Sequence, residues 1–256
     1  MRIIDPHVHV WKNDPKFPWA KETINPPNND ATPEMLLELM NKNGVEKTVL
    51  VQVIHYRWDN SFVSHTVRKY PHKFVGVGRI NPEDPSAADH LSYWVEEHGL
   101  QGMRLSPSID SSGDWFSRPD LMGPIFSRAE KHNIPILILT KPKRLPDLTN
   151  ILDQYNDVDV VVDHMADCPI NDRNQRQLLI DLARYPRVFI KISHSCFLFF
   201  FMGLGLYVAI AGLRGAVCCH AWTWRSCGNS WSSNSIICLS RHHQFFRICN
   251  DTLSCL

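Results

Sequence analysis

Three histidines in this 256-residue chain stand where they could do chemistry. His7 and His9 are one residue apart in Asp5-Pro6-His7-Val8-His9-Val10-Trp11, so positions 5, 7 and 9 share one side if the chain stays extended. Two imidazoles on one side are the first two donors of a divalent metal site, because zinc takes three or four nitrogen, sulfur or oxygen ligands. The same short pattern also suits two polar loop residues. His164 follows the apolar run Val160-Val161-Val162 and Asp163. It reads either as a third donor or as a core histidine tied to a backbone carbonyl.

Cations fall at comparable places. Arg104 follows Gly102-Met103, and its planar fork suits a bidentate grip on a carboxylate. His55, Arg79 and Lys141 also follow apolar runs, and with Arg104 they form a polar set suited to a small anionic substrate. Structural ion pairing is the competing reading for each charged member. Trp11, Trp19, Trp58 and Trp115 lie in connections, where they serve equally as walls for a ring-shaped ligand or as ordinary packing.

Such residues need a scaffold that gathers strand ends. Residues 1–195 alternate short apolar runs with amphipathic stretches, which predicts strands at 2–5, 47–53, 74–79, 100–105, 135–139, 158–163 and 187–192. Thr32 and Pro33 predict a helix start that Gly44 closes. Asp84 and Pro85 open another that Gly99 closes, and Asn171 or Asp172 opens a third before Pro186. Seven βα steps in this length match an α/β fold of the (β/α)8 TIM-barrel type, incomplete at about seven units. A doubly wound sheet is disfavoured, since no GxGxxG follows the first strand. The Asn- and Pro-rich connection at 13–33 predicts a long loop folded over the strand-end face.

Composition changes after Ser195. All 17 prolines lie at or before Pro186, and seven of the eight cysteines lie beyond Ser195. Residues 196–256 contain Asp251 and four arginines but no Lys, Glu or other acidic residue. Within them, 196–213 carry no formal charge and reach the lower length limit for a membrane span. The competing readings of this tail are an appended aberrant translation and a divergent completion of the barrel. A formal charge of +1 argues against a nucleic-acid binder. The lone body cysteine, Cys168, and the absence of an apolar leader after Met1 predict cytoplasmic residence, with membrane association only through 196–213.

Four segments occur in order: Ile4-Asp5-Pro6-His7-Val8-His9-Val10-Trp11, Gly102-Met103-Arg104, Val162-Asp163-His164-Met165 and Val188-Phe189-Ile190-Lys191-Ile192-Ser193. With them, residues 1–195 resemble the amidohydrolase-related family. This branch of the amidohydrolase superfamily includes 2-pyrone-4,6-dicarboxylate lactonase, sugar-lactone lactonases and aminocarboxymuconate semialdehyde decarboxylase. The resemblance implies that His7, His9 and His164 are catalytic, binding one divalent metal, zinc by preference, or polarising a carbonyl directly without metal. It implies a hydrolase of a small carboxylated lactone or related cyclic ester. A metal-dependent decarboxylase and a non-catalytic membrane-tethered product are the alternatives. Family members carry an aspartate at the end of an eighth strand, as metal ligand and general base. No such motif follows Ser195, so the chain is expected to be weak or inactive. The expected organisation is a barrel domain at 1–195 lacking its last strand, then a non-homologous tail at 196–256.

Overall fold

The computed structural model describes residues 3–107, 115–169 and 171–192, with the backbone of the short strands Val217–Cys219, Trp222–Trp224 and Trp231–Ser233. Strands and helices alternate along it as in an incomplete (β/α)8 barrel, and all seven expected strands form. The chain divides into two compact units.

The first unit comprises residues 1–106 and 118–137. Its order is β1 (Ile3–Val8), α1 (Pro33–Asn43), β2 (Val45–Val51), α2 (Ser61–Lys69), β3 (Phe74–Arg79), α3 (Ala87–Glu96), β4 (Met103–Leu105) and α4 (Pro119–His132), leading into β5 (Ile136–Ile138). Strands β1 to β4 pair in sequence order, all parallel. Val49, Leu50 and Val51 of β2 are all buried, the continuous apolar run of a parallel strand covered on both faces. Leu91 of α3 and Met122, Ile125 and Phe126 of α4 are fully buried, each such side chain contributing about 1.5–3 kcal/mol.

Helix ends follow the predicted punctuation except at α3, which begins at Ala87 after Ser86 and not at Asp84-Pro85. Thr32 Oγ1 accepts from Met35 N at 3.3 Å, Pro33 occupies the first turn, and Leu36 and Met40 are buried four residues apart. Gly99, beyond α3, has φ +71°, and no atom lies near where its Cβ would sit. Conformation rather than crowding therefore selects glycine there.

Strand β1 runs three residues past its predicted end at Asp5. Asp5 pairs with Thr48 and Val8 with Leu50, which sets a three-residue step against a two-residue one. This bulge contains Pro6, which has no N–H to give to a ladder. Strand β4 is shorter than predicted, although cross-strand bonds flank it: Gly78 N donates to Gly102 O at 3.0 Å and Met103 N to Pro135 O at 3.2 Å.

The second unit comprises residues 107–117 and 138–256. It contains α5 (Leu145–Leu152), β6 (Val160–Val162), α6 (Arg173–Asp181) and β7 (Val188–Ile192). Strands β6 and β7 are parallel and in register from Val160↔Val188 to Val162↔Ile190. Asp172 caps α6 by accepting from Gln175 N at 3.0 Å. Trp115, Leu148, Val160 and Val162 are fully buried. A further strand, β8 (Val217–Cys219), pairs in parallel with β7 and carries no acidic residue. No helix among the described residues is long and apolar enough to cross a membrane, and the candidate span at 196–213 lies outside them.

Candidate active site

The bulge in β1 shapes the first cluster. Asp5, His7 and the intervening Pro6 are all buried, and Asp5 Oδ1 accepts from His7 N at 3.1 Å, bracing the irregular backbone. His7 Nε2 and His9 Nε2 stand 3.2 Å apart, with ring centroids at 4.8 Å and planes nearly perpendicular. His9 Nδ1 lies 2.7 Å from Val51 O. A carbonyl only accepts, so Nδ1 carries the proton and His9 Nε2 presents its lone pair toward His7. Neither the bulge nor the Val51 anchor is visible in the spacing of the two histidines.

At the end of β6 the backbone turns left-handed. His164, Met165, Ala166 and Asp167 have φ of +53°, +55°, +54° and +49°. This region costs an L-residue roughly 1–2 kcal/mol, and His and Asp enter it more readily than Met or Ala. Sequence signals of left-handed turns, chiefly glycine and asparagine, are missing here. Asp163, fully buried, is ion-paired with buried Lys191 of β7 at 2.9 Å. Lys141, expected to meet substrate, has its Nζ 2.6 Å from Asp167 Oδ2.

The arginines form a third group, in the first unit. Arg79 and Arg104 are register partners on β3 and β4, and both are buried. Asn60 holds the Arg79 backbone from both sides, Arg79 N donating to Asn60 Oδ1 at 2.8 Å and Asn60 Nδ2 donating to Arg79 O at 2.9 Å. Gly78 makes this possible, since a Cβ there would come within 3.0 Å of Asn60 and 2.7 Å of Leu100. Two guanidinium groups lie over the Trp58 indole, Arg79 at 5.3 Å and Arg57 at 5.5 Å from its ring. Asn60 stands at the N-cap position of α2, but its side chain makes no cap bond.

His55 sits beneath the long first loop. Its carbonyl accepts from Ala20 N at 3.0 Å and Thr23 Oγ1 at 2.7 Å, and Trp19 meets its ring edge to face. Burial pushes the imidazole pKa below its usual range, which favours the neutral ring. Trp19 also stacks on Tyr56 at 4.6 Å. The Tyr56 hydroxyl, pushed up to about 12 by burial, donates to Lys12 O at 2.8 Å and accepts from Lys12 N at 3.0 Å. A pair of bonds between Trp11 and Ala31 closes the neck of the loop.

The profile of the amidohydrolase family matches residues 4–202, most of the chain. The protein belongs to the amidohydrolase family. Its relatives include L-fucono-1,5-lactonase of Burkholderia ambifaria, 24% identical over 194 residues that cover 74% of this chain and 67% of that enzyme. Among solved structures it is similar to an Acinetobacter baumannii protein assigned as a 2-pyrone-4,6-dicarboxylic acid hydrolase, with citric acid bound. The TM-score is 0.64 at 21% identity, over 77% of this chain and 72% of that one. A zinc-bound amidohydrolase of Burkholderia multivorans gives 0.61 at 20%, over 75% and 70%. The fold is thus the barrel type expected, and the chain is a hydrolase by family. Amidohydrolases commonly bind a divalent metal, and the β1 histidine pair offers the donor chemistry for one.

Proposed function

We propose that this amidohydrolase opens a small carboxylated lactone or related cyclic ester, with His7, His9 and His164 as the residues that would hold one divalent metal and with Asp163 next to His164 in the chain. The observation that carries the proposal is the His7 to His9 separation of 3.2 Å. Two nitrogens each 2.0–2.1 Å from zinc, at a tetrahedral angle, stand about 3.3 Å apart. The donor types of His7, Asp163 and His164 suit the same ion. Bound there, the metal would supply Lewis-acid polarisation of an ester carbonyl and a water of lowered pKa. Val51 O fixes the His9 tautomer, which keeps Nε2 available as a donor.

Arg104 and Arg79 are the proposed carboxylate clamp, buried side by side, where a bidentate charge-assisted contact is strongest. His55 and Lys141 are assigned to the rim of the same substrate site, and Trp58 and Trp19 to its walls. The only acidic residue after Ser195 is Asp251, so the strand-eight general base of the family has no counterpart and turnover is proposed to be slow. Cytosolic residence is proposed on the free, buried Cys168, the one cysteine of the body.

Metal analysis of the purified chain, with product analysis on panels of lactones and semialdehyde acids, tests this reading. About one equivalent of zinc is expected, falling at least tenfold in occupancy in His7→Ala. Arg104→Ala is expected to raise KM for carboxylated lactones more than for neutral ones. Zinc content indifferent to His7 would sink the metal site. Release of CO2 in place of a ring-opened hydroxy acid would replace the hydrolase with the decarboxylase.

A further inference from the structure

Asp163 and Asp167 bracket the left-handed run after β6, and a different lysine holds each carboxylate. Lys191 reaches Asp163 from β7 at 2.9 Å, inside the second unit, with both side chains nearly inaccessible. Lys141 reaches Asp167 at 2.6 Å from the connection after β5, with both side chains partly exposed. Between the two pairs lie His164, Met165 and Ala166, three non-glycine residues with positive φ. At the end of the turn Cys168 N donates to Met165 O at 3.1 Å. A run that local sterics oppose persists only where surrounding groups over-determine it, and here an ion pair sits at each of its ends.

We infer that Lys191 and Lys141 are positioning residues, a two-ended ionic lock that keeps the turn Asp163–Asp167 left-handed and so aims His164. The lock itself needs no metal. Only its consequence, a correctly presented His164 ring, rests on the proposed role of that residue as a donor. The two ends answer differently to the medium. The buried Lys191 pair is shielded from salt, whereas the exposed Lys141 pair is screened by it, so added salt loosens the turn from the Asp167 end. This reading moves Lys141 from a contact with substrate alone to a support for the histidine.

Hydrogen exchange of the full chain, read at the Cys168 amide, tests the lock, with zinc titration alongside. Lys141→Met is expected to speed exchange at Cys168 about tenfold without moving the thermal midpoint. It is also expected to weaken zinc binding about tenfold, as loss of an outer support does. Lys141→Arg, which keeps the charge, is expected to restore both, and 0.5 M salt to mimic the loss in part. Lys191→Met is expected to have the larger effect, and if that variant fails to fold, Lys141→Met decides. Exchange at Cys168 unchanged in Lys141→Met overturns the lock. Faster exchange with unaltered zinc affinity keeps the lock and removes His164 from the proposed metal site, so the two ideas fail separately.

Discussion

At the end of β1, His9 is oriented by a neutral hydrogen bond to Val51 O on the neighbouring strand. At the end of β6, His164 rides on a turn whose flanking aspartates are paired with lysines. The first arrangement uses extended backbone and a bulge made by Pro6, and its anchor carries no formal charge. The second holds four residues at positive φ, each opposed by sterics, and depends on charge at both ends. A neutral anchor to a strand inside the sheet is insensitive to salt and to side-chain substitution at its acceptor. An ionic clamp on a strained turn is sensitive to both. The β6 end is therefore the more fragile of the two arrangements.

The largest effect should come from the buried clamp. Lys191→Met removes the counter-charge that lies 2.9 Å from buried Asp163, and urea unfolding is expected to show a loss of about 3–5 kcal/mol. A loss below about 1 kcal/mol would mean that the pair does not anchor the turn, and the contrast with β1 would collapse. Neutral anchoring is probed next, at Asn60. Asn60→Ala leaves the buried N–H and C=O of Arg79 without these bonds, and a cost of about 2–3 kcal/mol is expected in the same assay.

Strain at the β6 end predicts an unusual gain. Ala166→Gly relieves a left-handed residue and is expected to raise stability by up to about 1 kcal/mol, while Gly44→Ala, at φ +68°, should lower it by a similar amount. Equal losses from both changes would show the β6 turn to be unstrained.

A surface pair supplies the smallest effect and a control for burial. The Glu34 carboxyl is brought down to about 2, chiefly by its hydrogen bond from Lys69 and then that from Tyr70. Its folded value lies below its ordinary 4.5, so the stabilisation is present above about pH 4.5 and is lost as pH falls toward 2. Both side chains of the ion pair are about half exposed, so solvent screening limits the contribution to less than about 1 kcal/mol. In acid titrations of stability, wild type should exceed Glu34→Gln above about pH 4.5 and lose that advantage as pH falls toward 2. A difference that persists at neutral pH in high salt would show that charge pairing is not its source.

Much of the scaffold is legible in the chain because its signals are local. Thr32 with Pro33 announces α1, Gly44 and Gly99 stop helices, and runs such as Val160-Val161-Val162 can be placed without knowing their neighbours. The His-x-His pair is legible for the same reason. What was hidden depends on partners far along the chain. His9 is fixed by a carbonyl 42 residues away, and Asn60 serves the backbone of Arg79 instead of capping its own helix. The left-handed turn was hidden more deeply, since none of His164, Met165 or Ala166 is a residue that selects that conformation locally.

Residue chemistry and periodicity by themselves determined the alternation of strands and helices, the positions of three histidines at the ends of β1 and β6, and those of Arg79 and Arg104 on β3 and β4. Tertiary structure alone decided how those groups are presented: which nitrogen of His9 carries its proton, where β1 bulges, and which lysine meets which aspartate. Propensity and spacing act within a few residues, whereas a carbonyl, a register shift or a buried counter-charge comes from another strand and has no local signature.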